Sequence, residues 1–180
     1  YQAEAIVQHF GDGGKFGMEI NYVEEGQPLG TAGGLSLLGS PNEPILILNG
    51  DVLTRVNFRS MLDFHQDHKA DMTVAVRLQD FQIPLGVVEI DDFKITAISE
   101  KPVIKHFVNA GLYLLSPEMF QYISAGQPLD MPDLITRLIS NGRQVVSFPV
   151  HEYWLDIGQH GDYEQAQLDI EQQDADRISR

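Results

Sequence analysis

Ile45-Leu46-Ile47-Leu48-Asn49-Gly50-Asp51 reads as a short apolar run that passes through turn residues into a carboxylate. Four consecutive aliphatic residues bounded by Asn and Gly have the length and composition of a buried strand. Far downstream, Tyr153-Trp154-Leu155-Asp156-Ile157-Gly158 repeats the arrangement. Two strand-end acids point to one site holding a metal ion and a phosphate. Each aspartate also makes sense by itself as a turn or helix-cap residue.

Outward from this stretch, helical and strand patterns alternate. Ala, Ile, Val and Phe at helical spacing in residues 2–10 predict a helix stopped by Gly11-Asp12-Gly13-Gly14, and Met18 to Val23 alternates as a short strand. Glu24 to Gly34 is a loop running into a helix near Leu35–Leu38. After Asp51, Phe58, Met61, Leu62 and His65 define a helical stripe and Met72 to Leu78 a strand, forming a crossover unit. Gly86 to Ile90 and Lys94 to Ser99 flank an acidic turn and predict a hairpin. Asn109 to Leu115 is a further strand. Ser116-Pro117-Glu118 offers an N-cap hydroxyl, a first-turn proline and an acid for a helix over 117–123, and a second helix starts at Asp130 with Leu134, Ile135, Leu138 and Ile139 as its stripe. Gln144 to Val150 is a strand and Asp162 to Gln172 a terminal helix before a charged tail. The alternation predicts an α/β fold of three α/β/α layers around a mostly parallel sheet with a small antiparallel insertion. Ligands then belong beyond the carboxyl ends of the strands, where Asp51 sits.

Composition narrows the function. A chain of 180 residues with 43% hydrophobic content predicts a single domain over 1–180. The lack of cysteine excludes disulfides and thiolate metal sites, and with no long apolar run or leader-like segment a reducing cytoplasm fits best. A formal net charge of -14 repels nucleic acid and anionic lipid. A nucleotide must therefore arrive with its own metal.

Five segments stand in a meaningful order: Leu29-Gly30-Thr31-Ala32-Gly33-Gly34-Leu35, Asn49-Gly50-Asp51-Val52-Leu53, Glu100-Lys101-Pro102, Val108-Asn109-Ala110-Gly111-Leu112-Tyr113 and Trp154-Leu155-Asp156-Ile157-Gly158. Together they resemble the sugar-1-phosphate nucleotidyltransferases, or NDP-sugar pyrophosphorylases, and within them the bacterial mannose-1-phosphate guanylyltransferase-like branch. That branch includes enzymes that activate sugars for surface glycans and lipopolysaccharide, some fused to regulatory CBS modules. The resemblance implies a Rossmann-like transferase in which a sugar-1-phosphate oxygen attacks the α-phosphorus of a nucleoside triphosphate, giving an NDP-sugar and pyrophosphate. GTP is the favoured nucleotide, with UTP, CTP or dTTP as alternatives. A homo-oligomer or a fused regulatory domain would also suit the family.

By that resemblance Asp51 and Asp156 hold Mg2+, with Lys101 completing the catalytic set. Magnesium takes oxygen ligands and needs only one or two protein carboxylates beside phosphates and water. A phosphomonoester with a second pKa near about 6 needs no strong protein base. Leu29, Gly30, Thr31, Ala32 and Gly33 lie beside the base and ribose, with Asn49 and Gly50 on the same nucleotide side. Glycines there allow backbone amides to approach and read base edges. Gly86, Glu100, Lys101 and Asn109 converge on the sugar phosphate, the carboxylate accepting from hydroxyls and the ammonium facing phosphate. A flexible loop and ordinary surface polarity are the plainer readings of these segments.

The chain departs from the family in three places. Asn109-Ala110-Gly111 replaces Asn-Thr-Gly, Leu85 stands where an aromatic precedes the sugar-site glycine, and Gln159-His160-Gly161 replaces Thr-Pro-Glu, with His160 either capping a helix or meeting a phosphate. The family also opens with a strand, a Gly-rich loop containing arginine and a Pro-Lys segment. None of these is found here, so an N-terminally truncated, partial domain is expected, inactive by itself. A nucleotide-sugar-sensing domain without catalysis is the alternative function.

Overall fold

The computed structural model describes residues 3–158 and 160–178. Its elements run α1 (Ala3–Phe10), α2 (Gly30–Gly33), β1 (Ile45–Leu48), β2 (Val52–Thr54), α3 (Phe58–Asp67), β3 (Met72–Gln82), β4 (Gly86–Asp91), β5 (Lys94–Glu100), β6 (Val103–Leu115), α4 (Met131–Ser140), β7 (Val145–Pro149), β8 (Trp154–Asp156) and α5 (His160–Ile178). They fall into two compact units, one of residues up to 42 with 117–141, the other of 43–116 with 142 onward.

The larger unit is built on a four-stranded sheet in the order β1-β6-β3-β7. β6 is antiparallel to both β1 and β3, whereas β3 and β7 are parallel. Three strands thus share a direction and β6 opposes them, giving the mixed, mostly parallel sheet of an α/β fold. Asn57 caps α3 by accepting from the Ser60 amide at 3.1 Å. The helix turns Met61 and His65 inward, and Met61 joins Val56, Ala75, Ala110, Leu112, Leu114 and Val150 in the core. Full burial of a side chain such as Met61 or Leu112 contributes roughly 1.5–3 kcal/mol.

β4 and β5 form the expected hairpin as a separate two-stranded sheet, with every residue of β5 exposed. β2 and β8 form another. The expectation that Ile45–Asp51 is one buried strand is corrected: β1 stops at Leu48, which is 47% exposed, because β1 lies at the sheet edge and Gly50-Asp51 turn into β2.

In the smaller unit α1 forms as expected, but Met18–Val23 is not a strand. The amides of Met18 and Ile20 return to the Gly13 and Asp12 carbonyls, and Tyr22 donates to the Gly11 carbonyl, which folds this segment onto the glycine turn. The helix expected near Leu35 begins earlier, as α2, and continues as a 3-10 turn over Gly34–Leu37. Pro117–Tyr122 is also 3-10 rather than α. Within α4, Leu134 and Leu138 are fully buried while Ile139 is 59% exposed, which narrows the expected stripe. The side chain of His160 lies outside the described residues.

Ser116, expected as a cap, serves the larger unit's interior. Its hydroxyl donates to the Ala70 carbonyl at 2.9 Å, so it must accept from His65 Nε2 at 3.0 Å. His65 Nδ1 is then the acceptor for the Thr73 hydroxyl at 2.8 Å. Both ring nitrogens are satisfied in the neutral imidazole, and burial holds its pKa below the ordinary value, only partly opposed by Asp71. A depressed histidine pKa means stability that is complete above about pH 6.5 and lost as pH falls toward the folded value. Thermal unfolding between pH 7 and 5 should show the midpoint falling below about 6.5. His65→Gln should start lower, by about 1–3 kcal/mol, with a shallower slope over that interval.

Candidate functional site

β6 departs from its ladder with β3 in the middle of its course. Val74 pairs with Tyr113 and Val76 with Asn109, so Ala110, Gly111 and Leu112 all face the single residue Ala75. The bulge relies on Gly111 at φ 72, in the left-handed region. Asn109 Oδ1 accepts from the Gly111 amide at 3.0 Å and its Nδ2 donates to the Tyr113 hydroxyl at 2.7 Å. Burial pushes the Tyr113 phenol pKa up, and the Asn109 bond pulls it the other way. The Gly111 carbonyl accepts from the Asn49 amide at 2.9 Å. The Asn49 side chain lies across Gly111, so closely that a Cβ there would meet its Nδ2 at 2.8 Å.

From the same bulge the Ala110 carbonyl accepts from Trp154 Nε1 at 2.8 Å. This ties β8 to β6. In the β2–β8 ribbon Val52 pairs with Asp156, and the Ile157 amide donates to the Asp51 carbonyl at 2.9 Å. The two acids, 105 positions apart in sequence by subtraction of their numbers, therefore stand on adjoining backbone segments. Both are exposed, and neither carboxylate has a hydrogen-bond or ion-pair partner among the described residues. No group of three or more acids or histidines able to hold a metal occurs among those residues. Two unpartnered carboxylates fit magnesium, whose remaining positions go to phosphate and water.

The ribbon is anchored on its far side too. Thr54 Oγ1 donates to the Tyr153 carbonyl at 3.0 Å, and the Tyr153 hydroxyl donates to Asp169 on α5. Burial first, then that bond and the charge of Asp169, push the Tyr153 pKa up to about 12. The same bond, with a second from Gln165, holds the Asp169 carboxyl below its ordinary value.

A second group lies at the base of the hairpin. Gly86 pairs with Glu100, and a Cβ on Gly86 would stand 3.0 Å from Glu100 Oε2, so the carboxylate lies over the glycine. Lys101 follows with φ 46, an uncommon conformation for a residue with a side chain. No strand pairing or hydrogen bond among the described residues links Asn109 to Gly86 and Glu100; its side chain bonds Gly111 and Tyr113 in the bulge.

Leu29–Gly33 belongs to the smaller unit and is tied to residues 127–131. The Leu29 carbonyl accepts from the Leu129 amide, and the Ala32 and Gly33 amides both donate to the Leu129 carbonyl. The Thr31 amide donates to Asp130 Oδ1 at 3.0 Å, and Thr31 Oγ1 accepts from the Met131 amide at 2.8 Å. The Leu29 amide donates to Glu25 Oε2 at 3.0 Å, so four of the five amides expected to read a base are already engaged. The glycines serve the close approach: a Cβ on Gly30 would lie 2.6 Å from Asp130 Oδ1, and one on Gly33 2.7 Å from the Gln127 carbonyl. Gly30, exposed and at φ 74, keeps an amide with no partner among the described hydrogen bonds. Sequence reasoning missed Trp154 as an indole donor and Asp130 as the loop's anchor. The one signal was Trp154 two residues before an aspartate; Asp130 read as a helix start.

A family model described as nucleotidyl transferase matches residues 1–173. The chain is 34% identical over 158 residues to a mannose-1-phosphate guanyltransferase of Kluyveromyces lactis, covering 83% of this chain and 44% of that protein. It is 32% identical over 185 residues to a UTP--glucose-1-phosphate uridylyltransferase of Synechocystis, covering 91% and 48%. The chain spans less than half the length of these curated relatives. Among solved structures, HddC from Yersinia pseudotuberculosis complexed with GMP-PN matches with a TM-score of 0.68 at 20% identity, over 92% of this chain and 73% of that one; this likeness is one of fold.

The bulge can be tested directly. Gly111→Ala forces a side chain into the left-handed region against Asn49 and should cost about 2 kcal/mol or more in urea unfolding. Gly142→Ala, at φ 68 with nothing within 4 Å, should lose only the backbone part, about 1 kcal/mol.

Proposed function

Because the chain belongs to the nucleotidyl transferase family, we propose that it supplies the acidic and sugar-facing parts of a sugar-1-phosphate nucleotidyltransferase. On this reading a sugar-1-phosphate oxygen forms a bond to the α-phosphorus of a nucleoside triphosphate while the bond from that phosphorus to the bridging oxygen breaks, releasing pyrophosphate and an NDP-sugar. The observation that carries it is the meeting of Asp51 and Asp156 at one end of the β2–β8 ribbon, with neither carboxylate partnered among the described residues. They would hold Mg2+, which when bound offsets charge developing on the transferring group.

The chain's own residues divide the remaining work. Lys101 presents an ammonium to the sugar phosphate, and Glu100, lying over Gly86, accepts from sugar hydroxyls. Gly30 offers its amide to the base, held in place by Leu29, Thr31, Ala32 and Gly33, while Asn49 and Gly50 carry the turn into Asp51. Asn109 acts through the bulge rather than on the sugar. The guanyltransferase among the relatives supports GTP, and the uridylyltransferase keeps UTP in view. We place the reaction in the cytoplasm, in the making of surface glycans, with residues 1–180 as part of one nucleotidyltransferase domain that works as a homo-oligomer or beside a regulatory domain. Among the described residues no helix is long and apolar enough to cross a membrane.

Two measurements test this in the polypeptide that carries the chain. Asp156→Asn should lower magnesium-dependent pyrophosphate release about a hundredfold, equivalent to roughly 3 kcal/mol, while the thermal midpoint stays within a degree or two. Equal loss of stability and activity would assign Asp156 a structural role. No release from the unaltered, folded protein with any nucleotide and sugar phosphate would favour nucleotide-sugar sensing. Lys101→Gly should move two observables in opposite directions: relief of the left-handed backbone raises stability by up to about 1 kcal/mol, and sugar-1-phosphate affinity by calorimetry falls. Unchanged affinity would remove Lys101 from the site.

A further inference from the structure

We propose that Arg77 is a positioning residue for Asp156. The parallel ladder between β3 and β7 ends at Val76 and Pro149, and one more bond follows, from the Val150 amide to the Val76 carbonyl at 2.8 Å. Beyond it the chain must travel from the sheet to β8 with no ladder to guide it. Arg77, next in β3, takes over at this point. Its Nη1 donates to the Glu152 carbonyl at 2.8 Å, and its guanidinium carbon lies 6.0 Å from the centre of the Trp154 ring. Arg77 forms no ion pair among the described residues, so its charge is turned on a backbone carbonyl and an aromatic ring.

The arrangement forms a relay of short steps. Arg77 fixes Glu152 and one side of Trp154, the Ala110 carbonyl fixes the indole N–H, and Asp156 is two residues further along the same strand. β2 and β8 pair over only three residues each, too little to define their own placement. The Arg55 amide lengthens the ribbon by a bond to the Tyr153 carbonyl and the Asn49 amide ties the β2 side to Gly111, which leaves the β8 side to the ties of Arg77 and Trp154. A guanidinium, planar and with several donors, can bind the carbonyl and lie beside the ring at once; an ammonium can keep one of the two. This inference rests on the metal reading for its functional consequence, but its geometric content does not depend on it.

The test uses two readouts on the whole polypeptide, with variants Arg77→Met, Arg77→Lys and Asp156→Asn. The first is metal-free: hydrogen exchange of the Trp154 indole N–H, its resonance identified by its loss in Trp154→Phe. Arg77→Met should speed this exchange at least tenfold, with Arg77→Lys between it and the unaltered protein. The second is the magnesium concentration at half-saturation followed by calorimetry, which Arg77→Met should raise about tenfold, within the range that outer-shell partners of metal ligands command. Faster indole exchange with a normal magnesium response in Arg77→Met, while Asp156→Asn loses that response, would overturn positioning of the acid. Unchanged indole exchange in a folded Arg77→Met protein would overturn the proposal outright, and if that variant does not fold, Arg77→Lys decides by the same criterion. If exchange quickens but Asp156→Asn leaves magnesium binding intact, the placement of the strand by Arg77 stands and the metal reading falls.

Discussion

The contact between Asn49 and Gly111 is the constraint on which the acidic site depends. A strand ordinarily keeps its residues in step with its neighbours, yet here three residues of β6 oppose one of β3, and the surplus is absorbed by a left-handed glycine whose amide is satisfied by Asn109. The distortion turns two carbonyls to new uses. Gly111 receives the amide of Asn49, which follows β1, and Ala110 receives the indole of Trp154, which begins β8. Both acidic segments thus take their bearings from one irregularity in the sheet, which explains how residues distant in sequence come to adjoin.

The smaller unit solves its local problem by different means. Its glycine-rich segment is held by backbone bonds to Leu129 and by the carboxylate of Asp130, and the glycines permit that closeness. Asp130 precedes α4 as a capping residue would, but makes no side-chain cap and bonds Thr31 instead, while the Thr31 hydroxyl receives the Met131 amide. The helix start and the loop are therefore one device. Among the described hydrogen bonds only the Gly30 amide of this loop stays open, and a segment held this way has little order left to gain in any encounter.

Much of this was legible in the sequence. The stripe of Met61 and His65, the hairpin around Asp91–Phe93 and the strand leading into Asp156 follow from periodicity and turn chemistry, which act locally. What was hidden depends on partners distant in the chain. Met18–Val23 alternates like a strand, but its amides are claimed by the preceding turn. Ser116 has the chemistry of a cap, and tertiary contact gives its hydroxyl to Ala70 and His65. Asn109 carries the family's motif while its side chain is consumed within its own strand. Residue type declared which groups could bond; only the fold determined which did.

The β4–β5 hairpin has a consequence for how such a protein can change over generations. The strand β5 is exposed throughout, and at the base of the hairpin Gly86 and Glu100 are closely fitted. Substitutions along the arm or at Asp91–Phe93 meet few neighbours and remove little buried surface, so they leave the core's stability nearly untouched. Change along the arm can therefore accumulate in small steps, each nearly neutral for the core packed around β6.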